Sequence, residues 1–211
     1  DYDARGNLIS LTTPGGQTTT FTYDTRDLPL VATGPAGAET TFSYDAVGRL
    51  ISTVDPEGRE VTRSYGANGK LAETTDSAGE KTSMTYDVHD NLVAVEDSSG
   101  ELSYTYDALS RVTSRRDTAG FMVQYEYDGI GRMTGLIYPD GKRVTYAYDV
   151  AGHLSEVRDW LGNVATYTYS VDGKLTGLNT FNGAATTYTR NVLGRLTAQE
   201  ATAEDGGEIS A

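Results

Sequence analysis

A tyrosine returns every 21 residues along this chain, and that period constrains the fold before any single residue does. It stands at Tyr2, Tyr23, Tyr44, Tyr65, Tyr86, Tyr106, Tyr127, Tyr148 and Tyr169, with Arg190 in the tenth slot. The one irregular step is the 20 residues between Tyr86 and Tyr106. Each full repeat carries two turns of one chemical type. The first is Asp-x-x-Gly directly after the tyrosine, as in Asp3 to Gly6, Asp45 to Gly48, Asp128 to Gly131 and Asp149 to Gly152. The second lies half a repeat later, as in Asp55 to Gly58, Asp76 to Gly79, Asp97 to Gly100, Asp117 to Gly120 and Asp159 to Gly162. An aspartate at the first corner accepts a hydrogen bond from the backbone two residues on, and glycine at the fourth tolerates positive φ. Pro56 presets the φ that a type I turn needs. A type I turn closed by a left-handed glycine is a common hairpin connection. The expected unit is therefore strand, turn, strand, turn, giving an antiparallel meander.

The strand entering each tyrosine alternates with period two. Phe42 and Thr40 share a face with Tyr44 while Ser43 and Thr41 point away, and the same holds for Tyr125 and Val123 with Tyr127 and for Tyr146 and Val144 with Tyr148. Equivalent positions stack into aromatic ladders, which marks this as the better-buried face; cross-strand aromatic pairs contribute roughly 0.2–1 kcal/mol each. The other strand opens at Leu8, Leu50, Leu71, Leu92, Leu154, Leu175 and Leu196, with Val112 and Met133 as substitutes. There the next apolar residue often falls three places on: Leu8 with Leu11, Leu92 with Val95, Met133 with Leu136, Leu154 with Val157, Leu175 with Leu178. A regular strand cannot hold both on one face. A β-bulge of one extra residue can, and Gly135 and Gly177 sit where it would fall. The odd repeat length agrees.

Some copies deviate. Asp27 and Pro29 replace the glycine and leucine of the second repeat, Ser110 replaces the glycine of the sixth, and the tenth reads Arg190-Asn191 while Gly194, Arg195 and Leu196 keep register. The expected organisation is an array over residues 1–200 and an acidic, disordered tail over 201–211.

Fifteen tyrosines and 24 glycines with only 37% hydrophobic residues suit short strands and tight turns, and no long 3.6-residue apolar period supports helices. A net charge of −13 with scattered bases argues against nucleic acid as a partner. With no cysteine, disulfides and thiolate metal sites are excluded. No run of about 18 apolar residues marks a transmembrane helix. No signal peptide precedes Asp1 and the chain opens within a repeat, so a longer parent is expected.

The motif Tyr-Asp-x-x-Gly-Arg-Leu, as in Tyr44-Asp45-Ala46-Val47-Gly48-Arg49-Leu50, resembles the YD or Rhs repeat, and it recurs in register from residue 2 to about 200. That family includes bacterial Rhs toxins, shell components of Tc toxin complexes, wall-associated proteins and teneurins. The resemblance implies an all-β fold of tandem 21-residue hairpins in a continuous, spiralling antiparallel sheet that forms a shell or barrel wall. It implies a non-catalytic segment of a shell that encloses and helps deliver an exported toxin. Its alternative is a cell-surface adhesion or carbohydrate-binding module that self-assembles. Expected partners are other YD repeats, an enclosed toxin domain or surface glycans, and the expected location is secreted or cell-surface. The self-cleaving protease region that closes the repeats in the bacterial toxins has no counterpart here. About twenty strands at ~4.8 Å spacing make a ribbon about 95 Å wide, which would close at only about 30 Å diameter. A stretch of wall is the expectation, with edges open to pairing.

No catalytic residue, cofactor or metal site is nominated. His89 and His153 fall in turns, away from any nucleophile. Asp45, Asp87, Asp107 and Asp128 invite calcium, yet one carboxylate per turn supplies too few of the roughly six to eight oxygens calcium takes, and turn capping accounts for them. Nothing singles out a carboxylate pair for glycoside hydrolysis, and no nucleophile elbow, phosphate loop or zinc helix is present. The candidate partner contacts are apolar residues inside turns: Trp160 and Leu161 between Asp159 and Gly162, and Phe181 before Gly183.

Overall fold

A computed structural model describes residues 1–202 of the chain. It divides into two compact units, Asp1–Ser103 and Tyr104–Ala211, the boundary falling within a strand. The first unit holds β1 (Ser10–Thr12), β2 (Thr18–Tyr23), β3 (Pro29–Thr33), β4 (Glu39–Tyr44), β5 (Leu50–Val54), β6 (Glu60–Tyr65), β7 (Leu71–Thr75), β8 (Lys81–Tyr86), β9 (Leu92–Asp97) and the start of β10 (Gly100–Tyr106). The second holds β11 (Val112–Arg116), β12 (Met122–Tyr127), β13 (Met133–Ile137), β14 (Arg143–Tyr148), β15 (Leu154–Arg158), β16 (Val164–Tyr169), β17 (Leu175–Asn179), β18 (Ala185–Arg190) and β19 (Leu196–Thr202). Each strand pairs antiparallel with its sequence neighbour, from β1 to β10 in the first unit and from β11 to β19 in the second. The last strand runs through Thr202, two residues past the expected end of the array; residues 203–211 of the predicted tail lie outside the described residues.

The turns follow from their chemistry. At the first turn of the third repeat, Asp45 N–H donates to Arg49 O (2.9 Å), Gly48 N–H donates to Asp45 O (3.1 Å), and the Asp45 carboxylate accepts from Val47 N–H (3.0 Å) and Arg49 N–H (2.8 Å). Gly48 sits at φ 89°, the left-handed corner of a type I turn with a one-residue bulge. Where the repeat has lost that glycine, Asp27, Asp90 and Ser110 adopt φ of 66°, 65° and 58°. The loop geometry is thus imposed on residues that do not favour it. The 20-residue step has a simple origin: Gly100 pairs directly with Asp97, so a loop of Ser98 and Ser99 closes β9 onto β10 one residue sooner than elsewhere.

The bulge expected in the leucine strand is present in eight hairpins. Tyr127 pairs with Met133 but Glu126 pairs with Gly135, which leaves Thr134 as the extra residue. Leu30, Ile51, Ala72 and Val93 are its counterparts in the first unit, and Ser155, Thr176 and Thr197 in the second. Past the bulge Leu136 lies opposite Tyr125, so Met133 and Leu136 share the tyrosine face despite their spacing of three. Gly135 and Gly177 follow the extra residue, opposite Glu126 and Thr168.

Alternation places Thr40, Phe42 and Tyr44 on the half-buried face of β4 and leaves Glu39, Thr41 and Ser43 exposed. Burial goes no further: among the described residues only Ser114, Gly135 and Val144 are buried. Neither unit encloses a core between layers. What holds each one together is its ladder, its turns and the links between repeats.

Candidate functional site

The links run along the edge that carries the Tyr-Asp turns. Arg49 Nε donates to the carboxylate of Asp45 in its own turn (2.7 Å), and its guanidinium lies over the ring of Tyr65 in the next repeat, 4.6 Å from the centroid. Arg132 repeats this with Asp128 (2.7 Å) and Tyr148 (4.6 Å). Arg111 pairs with Asp107, covers Tyr127 at 4.8 Å and also donates to the Asp128 carbonyl of the following turn (3.0 Å). In the eighth repeat His153 takes the arginine's place: Nδ1 lies 3.0 Å from Asp149 and the ring stacks on Tyr169 at 4.6 Å. His153 is therefore half-buried within a link, not a bare surface turn residue. Each guanidinium–ring contact of this exposure contributes about 0.5–1 kcal/mol.

The tyrosine hydroxyl makes the reciprocal contact. Tyr23, Tyr65, Tyr127 and Tyr148 donate to the carbonyls of Leu8, Leu50, Val112 and Met133 at 2.7–2.8 Å. In Leu50 and Met133 this carbonyl immediately precedes the bulge's extra residue, where the ladder is interrupted. The turn aspartates are correspondingly held below the ordinary carboxylate range. For Asp45 the largest cause is the Arg49 N–H, and for Asp107 and Asp128 it is the side chain of Arg111 or Arg132.

The opposite edge carries the second turns and, in the second unit, a cavity of about 330 Å³. Phe121, Tyr138, Pro139, Asp140, Lys142 and Trp160 line it, and its surface is almost wholly apolar. Tyr138 and Trp160 meet edge to face with centroids 6.0 Å apart, while Lys142 Nζ sits 5.2 Å over the indole and pairs with Asp140 at 2.7 Å. None of these aromatics follows the repeat. Tyr138 stands where the turn has Asp117 or Asp159, Trp160 where other copies have Pro56, Ser77 or Thr118, and Phe121 where they have Arg59 or Glu80.

The RHS Repeat family matches residues 2–39 and 30–60, and the Teneurin YD-shell family matches residues 57–175, more than half of the chain. The chain belongs to the Teneurin YD-shell family. No curated protein is a significant match in sequence. Among solved structures, the Photorhabdus luminescens Tc holotoxin pore aligns over 99% of this chain with a TM-score of 0.72 and 18% identity. The TcdB2-TccC3-TEV crystal structure aligns over 99% with a TM-score of 0.69 and 16% identity. The YD-shell chain spans 14% of the length of each, and the likeness is one of fold.

Each letter of the YD-shell signature now has a physical task. The tyrosine carries the next hydroxyl bond and receives the preceding arginine, the aspartate caps its turn and anchors that turn's arginine, and the glycine takes the left-handed corner. The arginine crosses to the following repeat and the leucine opens the bulged strand. The turn and bulge tasks were expected from sequence; the arginine's reach was not. Its signal was available in the recurrence of Arg49, Arg111 and Arg132 at one register position. Of the expected contact residues, Trp160 lines the cavity, whereas Leu161 (75% exposed) and Phe181 (67% exposed) stand outside its lining on the same type of turn. Tyr138 and Phe121 are the members that sequence reasoning missed. Their departure from the repeat was the available signal.

Proposed function

We propose that this YD-shell segment is a structural, non-catalytic stretch of wall in a larger exported bacterial protein, whose assembled shell encloses and helps deliver a toxic domain. The observation that carries the reading is the Asp-Arg-Tyr link. It joins successive repeats at three junctions, with His153 in the same role at a fourth, so a sheet of a single layer can be extended repeat by repeat without a buried core. The likeness to Tc toxin components supports the same role. The test is limited proteolysis of the full-length product of the parent gene. The region outside the repeats should resist cleavage, and Arg49→Ala, Arg111→Ala and Arg132→Ala combined should expose it. Equal cleavage before and after those substitutions would remove the basis for enclosure.

A second reading, contact with a surface partner, is favoured by the cavity at Trp160 with Leu161 and Phe181 exposed nearby along the chain. Its partners would be glycans, like repeats or another polypeptide. Binding to immobilised candidates that is lost on Trp160→Ala would support it.

A further inference from the structure

The cavity at Trp160 does not end at Tyr138. A second depression, about 360 Å³, lies beside it and shares Phe121, Tyr138 and Pro139 as a common wall. It continues past Met122, Gln124 and Ile137 to Arg116. The two together form a groove along the turn edge, apolar at the Trp160 end and mixed at the Arg116 end. We infer that this groove, formed where Phe121, Tyr138 and Trp160 leave the repeat pattern, binds an extended, proline-bearing peptide with an acidic residue at its Arg116 end. The inference deepens the surface-partner reading and rests on it.

Three observations carry it. The aromatic residues come from three successive turns of a repeat whose other turns, Phe181 apart, place polar or small residues there, and Tyr138 does so by giving up a turn-capping aspartate. Their packing on one another leaves them largely uncovered: Phe121 is 61% accessible and Trp160 47%. The lining also selects among ligands. A saccharide site needs several convergent polar groups to satisfy ring hydroxyls, whereas at the aromatic end the charged pair, Asp140 with Lys142, is already self-satisfied. An apolar hollow and a mixed one divided by an aromatic ring and a proline are a shape that a polyproline-type strand fills with alternate residues, at little entropic cost. Arg116 then sets the polarity. Its guanidinium reaches only the Gly120 carbonyl (3.5 Å), and among the described residues no carboxylate pairs with it. In a chain of net charge −13, an unneutralised cation at the end of an apolar groove is complementary to a carboxylate.

Trp160 is the chain's single tryptophan, so its emission reports on the groove directly. The 211-residue chain would be titrated with three probes. These are a capped eight-residue peptide of prolines and leucines ending in two glutamates, the same peptide ending in two lysines, and cellohexaose. The acidic peptide should shift the emission saturably and bind about tenfold more tightly than the basic one. Arg116→Glu should abolish or invert that preference, and Tyr138→Ala should weaken the acidic peptide at least tenfold. Saturable binding of cellohexaose alone would overturn the peptide assignment and leave the surface-partner reading standing. If none of the three shifts the emission, both fall. Should Tyr138→Ala lose its β-sheet circular dichroism, Arg116→Glu alone decides, since that side chain is exposed and makes no ion pair.

Discussion

The tyrosine hydroxyl is the most exposed to test of all the links between repeats. In Tyr148→Phe the ring stays under Arg132 and only the bond to the Met133 carbonyl (2.7 Å) is lost. A net protein hydrogen bond is worth about 1 kcal/mol, and leaving a fully buried acceptor unmet costs up to about 3. The bond is only partly buried, so water can recover some of that loss, and about 1 kcal/mol is expected. With a urea m-value of about 2 kcal/mol/M, the unfolding midpoint should fall by about 0.5 M. Tyr127→Phe combined with Tyr148→Phe should roughly double the shift, because each hydroxyl serves a different carbonyl. Tyr125→Phe is the control: it lies on the same face, pairs with Leu136, and has no hydroxyl partner among the described residues. Trp160 emission follows unfolding of the same unit. An equal midpoint shift for Tyr125→Phe and Tyr148→Phe would show that the cost comes from the ring's surroundings, and the carbonyl-capping argument would fail.

Arg132→Ala should destabilise the second unit by about 1–2 kcal/mol through combined loss of the Asp128 pair and the Tyr148 contact, and Arg132→Lys should recover less than half, as measured by urea midpoints. Ser110→Gly should raise stability by up to about 1 kcal/mol because Ser110 sits at φ 58°, while Gly131→Ala at φ 93° should lower it by about 1–2 kcal/mol. The carboxylates of Asp45, Asp107 and Asp128 titrate lower when folded, and Asp172, drawn to about 2 by the Ser170 hydroxyl and then by Lys174, is the extreme case. Their contribution is present above the unfolded value of about 3.9 and is lost as pH falls through the folded values. Stability should therefore be flat above about pH 5 and decline towards pH 2, and Asp172→Asn should remove part of that decline.

Strand order, turn type and bulge were legible because each is local. A residue's own turn chemistry decides whether Asp45 caps and Gly48 takes the left-handed corner, and a spacing of three between Met133 and Leu136 on a strand of period two demands an extra residue between them. The same reasoning marked Trp160, since an apolar turn tip is anomalous wherever it lies. Neighbourhood across the sheet was not legible in this way. Arg132 and Tyr148 are sixteen positions apart, and their contact depends on the guanidinium spanning from its own turn to the next repeat's ring, a distance fixed by strand spacing and by the angle of the turn. Phe121, Tyr138 and Trp160 occupy three different positions of the repeat, so no alignment of one copy on another superposes them. The backbone of each repeat follows from its own turn and strand residues. Which side chains of successive repeats meet follows from how paired strands bring those register positions side by side in space, and that spacing appears only in the folded sheet.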